Sequence, residues 1–161
     1  MCCAGDKSRA TWTTALEKSL VDLLLEHNTT YYRSQNGWSS ETWNLMVSTF
    51  NKRHPHLKFA KTHVQNKEKD LKRDYKVLKE ARKQSGVGWD DAKCMLLAEP
   101  HLWSNLIVSL GARLKPFKRR NAFPLYDILG ELYDGKCATV LRTAVDVHAS
   151  VCLPSYLLQV N

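Results

Sequence analysis

Residues 62–83 read Thr-His-Val-Gln-Asn-Lys-Glu-Lys-Asp-Leu-Lys-Arg-Asp-Tyr-Lys-Val-Leu-Lys-Glu-Ala-Arg-Lys, and neither Gly nor Pro interrupts the chain from there to Gly86. Thr62-His63-Val64-Gln65 resembles a capping box, so the stretch predicts one long helix. At about 100° per residue, Val64, Leu71, Tyr75 and Leu78 fall within about 60° of one another and form the stripe to be buried. Asn66, Lys69 and Arg73 point away from that stripe, and Gln65, Lys69, Lys72, Lys76, Lys79 and Lys83 form a ridge along one flank. The positive charge therefore faces solvent from one ordered rod.

Upstream, the same period gives two shorter helices. Leu16, Leu20, Leu23 and His27 place the first near 14–28, behind a possible Thr14-Ala15-Leu16-Glu17 capping box. Asn28 to Ser39 is polar and reads as a long loop. Ser39 or Ser40 caps the second helix, where Trp43, Met46, Val47 and Phe50 keep the spacing, and His54-Pro55 ends it. Downstream, Asp90 or Asp91 is placed at the start of a short helix containing Met95 and Leu96. The next helix begins near Pro100, carries Leu102, Trp103, Leu106, Ile107 and Leu110, and stops at Gly111. Residues 111–122 read as a basic linker and 123–134 as a last short amphipathic helix with Leu125, Ile128, Leu129 and Leu132. The apolar tail 135–161 has no clear period, and residues 1–9 form an N-terminal arm.

The chain has 161 residues and a net charge of +8. All of the positive excess lies in two segments: residues 52–83 carry twelve Lys/Arg against four Asp/Glu, and residues 113–120 carry five with no acid. Such concentration attracts phosphate polyanions or acidic protein surfaces, the alternative being a merely solvated lysine face. No apolar run approaches the roughly 18 residues of a membrane span, so no membrane partner is expected and the chain reads as soluble and intracellular. Five cysteines, an odd count without a C-x-x-C pair, argue against a disulfide framework and a zinc module. His54, His56 and His63 lack the Cys or carboxylate of a familiar zinc spacing. No glycine-rich phosphate loop, nucleophile elbow or carboxylate pair is visible, so neither enzymatic activity nor a cofactor or metal is expected.

Two amphipathic helices followed by a longer basic one match the helix-turn-helix class. Trp12, Trp43 and Tyr75 then mark the three helices at intervals of 31 and 32 residues. Those positions resemble the interlocking aromatic core of a Myb repeat, with the wider spacing of the plant Myb/SANT-like domain. Ala10-Thr11-Trp12-Thr13, Asn66-Lys67, Leu71–Lys79, Ser85-Gly86-Val87-Gly88-Trp89-Asp90, Trp103 with Ile107, and Phe123-Pro124-Leu125-Tyr126-Asp127 are similar to that family's segments in order. The resemblance covers roughly residues 10–134, with the domain and its trailing helices at 10–110. Glu68 departs from it, standing where the family has an apolar or aromatic residue. It is expected at the edge of the core or beside a lysine, because an unpaired buried carboxylate is costly.

The resemblance implies an all-α three-helix Myb/SANT-like bundle with additional short C-terminal helices, in a nuclear protein that binds double-stranded DNA and regulates transcription. It also implies kinship with transposase-associated Myb-like proteins. With the third helix in the major groove, Gln65 and Asn66 would face adenine, and Lys69 or Arg73 guanine. Lys72, Lys76, Lys79, Arg82 and Lys83 would meet phosphates, and about five to seven such contacts predict a log–log salt slope of about −4 to −6. Arg113, Lys115, Lys118, Arg119 and Arg120 suggest a nuclear-import signal or a second phosphate clamp. The alternative function is a SANT-type protein-interaction module for chromatin, transposase-like or immune/effector partners. Under either function, residues 87–134 or the tail would supply a partner or homodimer surface.

Overall fold

In the computed structural model, residues 10–119 and 121–135 are described. Expectations for the N-terminal arm, Arg120 and the apolar tail from residue 136 onward lie outside them.

Helix α1 (Thr14–Glu26) begins where the Thr13 hydroxyl accepts the Leu16 amide at 3.3 Å, one residue before the expected cap. Leu20, Leu23 and Leu24 are fully buried along it. Helix α2 (Ser40–Arg53) starts at the Ser39 cap and ends at His54, as the proline at 55 requires. Its Trp43, Met46 and Phe50 enter the same core. Helix α3 (Lys61–Arg82) is capped at Ala60, two residues before the expected Thr62. Alanine has no acceptor to offer, and the end is held instead by His63, whose Nδ1 accepts the Ala60 amide at 3.2 Å.

The loop between α1 and α2 contains a small antiparallel hairpin of β1 (Arg33–Ser34) and β2 (Gly37–Trp38), which the polar composition had hidden. The Trp38 indole donates to the His27 carbonyl at 2.9 Å and sits edge-on to Trp43, so the hairpin is fastened to both helices.

After α3, Gly86 turns the chain with φ +77°, and a Cβ there would lie 2.9 Å from Leu102 Cδ1. Only glycine satisfies both the backbone and that approach. The segment expected to be a helix at Asp90 or Asp91 is a second hairpin, β3 (Gly88–Asp90) with β4 (Met95–Leu97). Asp90 Oδ1 accepts the Lys93 amide at 3.0 Å, making the aspartate a turn former rather than a helix cap. Helix α4 (Pro100–Leu110) follows with Pro at its first position and Gly111, φ +106°, at its end, as the sequence indicates.

Within the stretch expected to be a basic linker, the residues from Ala112 to Lys118 are helical. Ala112–Leu114 form a 3-10 turn and Lys115–Lys118 a short helix, α5. Leu114 is fully buried, and Phe117 meets Phe123 with ring centroids 5.8 Å apart. The high cation content had concealed these two apolar anchors, three residues apart.

Helix α6 (Tyr126–Asp134) lies against both α1 and α3, burying Leu129 and Leu132. Gly130 permits the approach, since a Cβ there would sit 3.3 Å from the Tyr75 hydroxyl. The three-helix bundle thus carries α6 across one flank, with α4 also packed on α3.

Candidate nucleic-acid interface

Tyr75, Val64, Leu71 and Leu78 fill the core from α3, and Glu68 and Ala81 are buried beside them. The opposite face of this helix is open. Asn66, Lys69, Arg73, Lys76 and Lys83 are exposed, whereas Gln65, Lys72 and Lys79 are half-buried.

Their partners divide the cations. Among the described residues no carboxylate pairs with Lys69 or Lys76. The Arg73 side chain is 67% exposed and only 4.0 Å from Asp70, too loose to hold it. Lys83 meets Glu80 at 2.7 Å in an exposed i,i+3 pair, and such pairs are worth well under about 1 kcal/mol and exchange readily.

Lys72 and Lys79 belong instead to the α3–α6 seam. Lys79 Nζ lies 2.8 Å from Asp134, whose bond raises the lysine's pKa, and Lys72 Nζ sits 5.1 Å over the Tyr133 ring. Arg82, expected on phosphate, is half-buried with its guanidinium 4.8 Å over Trp89 and 4.6 Å over Tyr126. The expected ridge is therefore split: its outer edge is open, and its inner edge is covered by α6.

That seam contains two phenol–carboxylate bonds. The Tyr75 hydroxyl donates to Asp134 at 2.5 Å and the Tyr133 hydroxyl to Glu68 at 2.6 Å. Burial, then the adjoining carboxylate, pushes both phenol pKa values well above the ordinary tyrosine range. Glu68 is buried as its position demands, and the partner it finds is a tyrosine from 65 residues away rather than a lysine or the protein edge. Neither Tyr133 nor Asp134 was singled out by sequence reasoning. A short apolar-periodic segment carrying two polar residues at its end was the available signal.

The three marker aromatics do not interlock. Trp12 packs on Phe50 and Phe59, Trp43 on Trp38, and Tyr75 on Tyr126 and Tyr133. Each ring contacts rings from other segments, and all three belong to one continuous core.

The hairpin walls the face on one side. A shallow groove of about 260 Å³ runs between Arg33, Asn36 and Trp38 of the hairpin and Gln65, Lys69 and Lys72 of α3. Arg33 serves structure here: it lies 4.8 Å over Trp38 and donates to Asn28 and to the Leu132 carbonyl. The 3-10 turn stands on the other side. Arg113 donates to Asp74 at 2.6 Å and to Asp70 at 3.2 Å, which removes it from the candidate import signal. Burial lifts the Asp74 carboxyl pKa despite that contact. For Arg113 burial opposes the charge, but Asp74 and Asp70 outweigh it and the pKa rises. One guanidinium thus serves two carboxylates in a formed ion pair. Lys115, Lys118 and Arg119 are exposed on α5 and just beyond it.

His54 and His63 are spent on structural hydrogen bonds, to the Ser19 hydroxyl and the Ala60 amide. Among the described residues no three His, Cys, Asp or Glu side chains converge on a point where a metal would sit. No described helix is long and apolar enough to cross a membrane.

Residues 11–106 match the family model for the Myb/SANT-like DNA-binding domain. Neither a curated protein nor a solved structure matches the chain.

Proposed function

The chain belongs to the Myb/SANT-like DNA-binding domain family, and from that premise we propose that it is a nuclear transcriptional regulator that reads duplex DNA with the open face of α3. The observation that carries this reading is the two-faced character of α3. One side is locked into the core by Val64, Leu71, Tyr75 and Leu78, and the other offers Asn66, Lys69, Arg73 and Lys76 to solvent. A major groove about 12 Å wide admits one such helix.

Asn66 and Arg73 occupy the centre of the face and take the base edges, asparagine pairing with adenine and arginine with guanine. Lys69 and Lys76 flank them, and with Lys83 they contact phosphate, which sets affinity and register rather than sequence. With Lys72 and Lys79 engaged by α6, α3 supplies about three phosphate contacts and a log–log salt slope of about −3. That is shallower than the sequence alone suggests.

Selection from random duplexes, followed by binding at two salt concentrations, tests the reading. Arg73→Ala relaxes the recovered preference, while Lys76→Ala weakens every duplex alike and flattens the slope by about one. Unchanged duplex binding in both variants refutes it. Recovery of no motif, with salt-insensitive binding to a protein instead, favours the SANT-type interaction role.

A further inference from the structure

We infer that the ordered cationic segment 113–119 is a second phosphate-binding surface, which grips the backbone of the same duplex that α3 reads. The inference rests on the α3 reading and adds a site to it.

Charge is the first ground. Residues 113–119 carry Arg113, Lys115, Lys118 and Arg119 and no acid. A flexible stretch of that composition would place its charges nowhere in particular. Here the fully buried Leu114 and the Phe117–Phe123 contact hold the segment in helical turns. The backbone that carries its cations is in place before any ligand arrives, so little backbone freedom remains to be lost on binding.

Arg113 supplies the second ground. Its guanidinium donates to Asp74 at 2.6 Å and to both the Asp70 carbonyl at 3.1 Å and the Asp70 carboxylate at 3.2 Å. These contacts bolt the segment to the flank of α3 next to its reading face. They also counter the two acids of that flank, which would otherwise repel a phosphate strand approaching there.

The third ground is the distribution of unpaired charge. Lys115, Lys118 and Arg119 are exposed, and among the described residues no carboxylate pairs with any of them. On the far flank, α6 has taken Lys72 and Lys79. Open cations therefore remain along the outer edge of α3 and on α5, which continues directly from the turn that Arg113 fastens to the opposite flank of α3. Phosphates line both edges of a major groove, so such a two-sided arrangement fits a duplex better than an acidic peptide. It also provides the affinity that one small reading helix lacks.

The test is the full chain carrying Lys115→Gln, Lys118→Gln and Arg119→Gln together, compared with the unaltered chain and with Arg73→Ala. All three side chains are exposed, and thermal unfolding at an unchanged temperature verifies that the fold is kept. The triple variant's log–log salt slope flattens by about 2.7, or 0.9 for each of three lost phosphate contacts, while the selected motif stays the same. An unchanged slope overturns the inference, as does a loss confined to nuclear accumulation of a fluorescent fusion, which identifies these residues as an import signal instead. If Arg73→Ala leaves the motif intact, the α3 reading fails independently, whatever the triple variant does.

Discussion

Tyr133→Phe removes a single oxygen from the seam between α3 and α6. The ring stays, so the Lys72 contact and the α6 packing are retained, but Glu68 loses the hydroxyl that donates to it at 2.6 Å. Glu68 is only 7% exposed, so water cannot fully replace that donor. A hydrogen bond to a charged group contributes about 1.5–3 kcal/mol, and the carboxylate left without it adds a desolvation cost. We expect a loss of about 2 kcal/mol at neutral pH, which for a chain of this size lowers the unfolding midpoint by about 6–8 °C. Denaturant unfolding monitored by tryptophan fluorescence measures it directly.

The double variant Glu68→Leu with Tyr133→Phe removes both partners together and should recover most of the loss, because replacing a polar pair by apolar groups of similar shape is close to neutral. Two results refute the reasoning. One is a cost below about 0.5 kcal/mol for Tyr133→Phe; the other is a double variant that shows no coupling in the cycle.

Three further outcomes follow from the same geometry. Asp134→Asn releases Lys79 from its 2.8 Å ion pair, so duplex binding should tighten and the salt slope steepen by about one, read by titration at two salt concentrations. Gly86→Ala forces a side chain into φ +77° and 2.9 Å from Leu102, and chemical unfolding should show about 2 kcal/mol lost, with the α4 contact weakened first. Tyr75 and Tyr133 keep their protons in the folded state above the ordinary tyrosine pKa of about 10, so the stability they contribute is complete below that value and is lost as pH rises beyond it. Absorbance at the tyrosinate band should therefore show Tyr75 and Tyr133 ionising only on alkaline unfolding, and Tyr75→Phe with Tyr133→Phe should abolish that delayed step.

The bundle was legible because its helices repeat at 3.6 residues and their caps lie beside them in the chain. Leu16, Leu20 and Leu23 needed no distant information to declare a buried face, and Val64, Leu71, Tyr75 and Leu78 fixed the orientation of α3. Segments whose structure depends on a partner far away were opaque. Asp90 serves equally as a helix cap and as a turn acceptor, and β4 together with Phe123, whose amide donates to the Cys94 carbonyl at 2.8 Å, decides for the hairpin. Leu114 and Phe117 were two apolar residues among many cations, and only their burial makes an anchored platform of what read as a linker.

The interface shows the same division. The exposure of Asn66, Lys69, Arg73 and Lys76 is a local consequence of the helical period. The withdrawal of Lys72, Lys79 and Arg82 is set by Tyr133, Asp134, Trp89 and Tyr126, which helical spacing cannot bring to mind. Glu68 was recognisable as a residue in need of a partner, although its partner was not. Of the marker aromatics, Trp43 and Tyr75 lie on α2 and α3 as expected, whereas Trp12 precedes the α1 cap, and the rings they contact include Phe59, Trp38 and Tyr126.

The most direct test of α3 as the reading helix is amide and side-chain NMR of the full chain titrated with its selected duplex. The account predicts the largest shifts at Asn66, Lys69 and Arg73, with the Asn66 amide protons and the Arg73 Nε–H moving into slow exchange, and little change along α1. Perturbations centred on α1 or α2, with Asn66 and Arg73 unmoved at saturation, would contradict it.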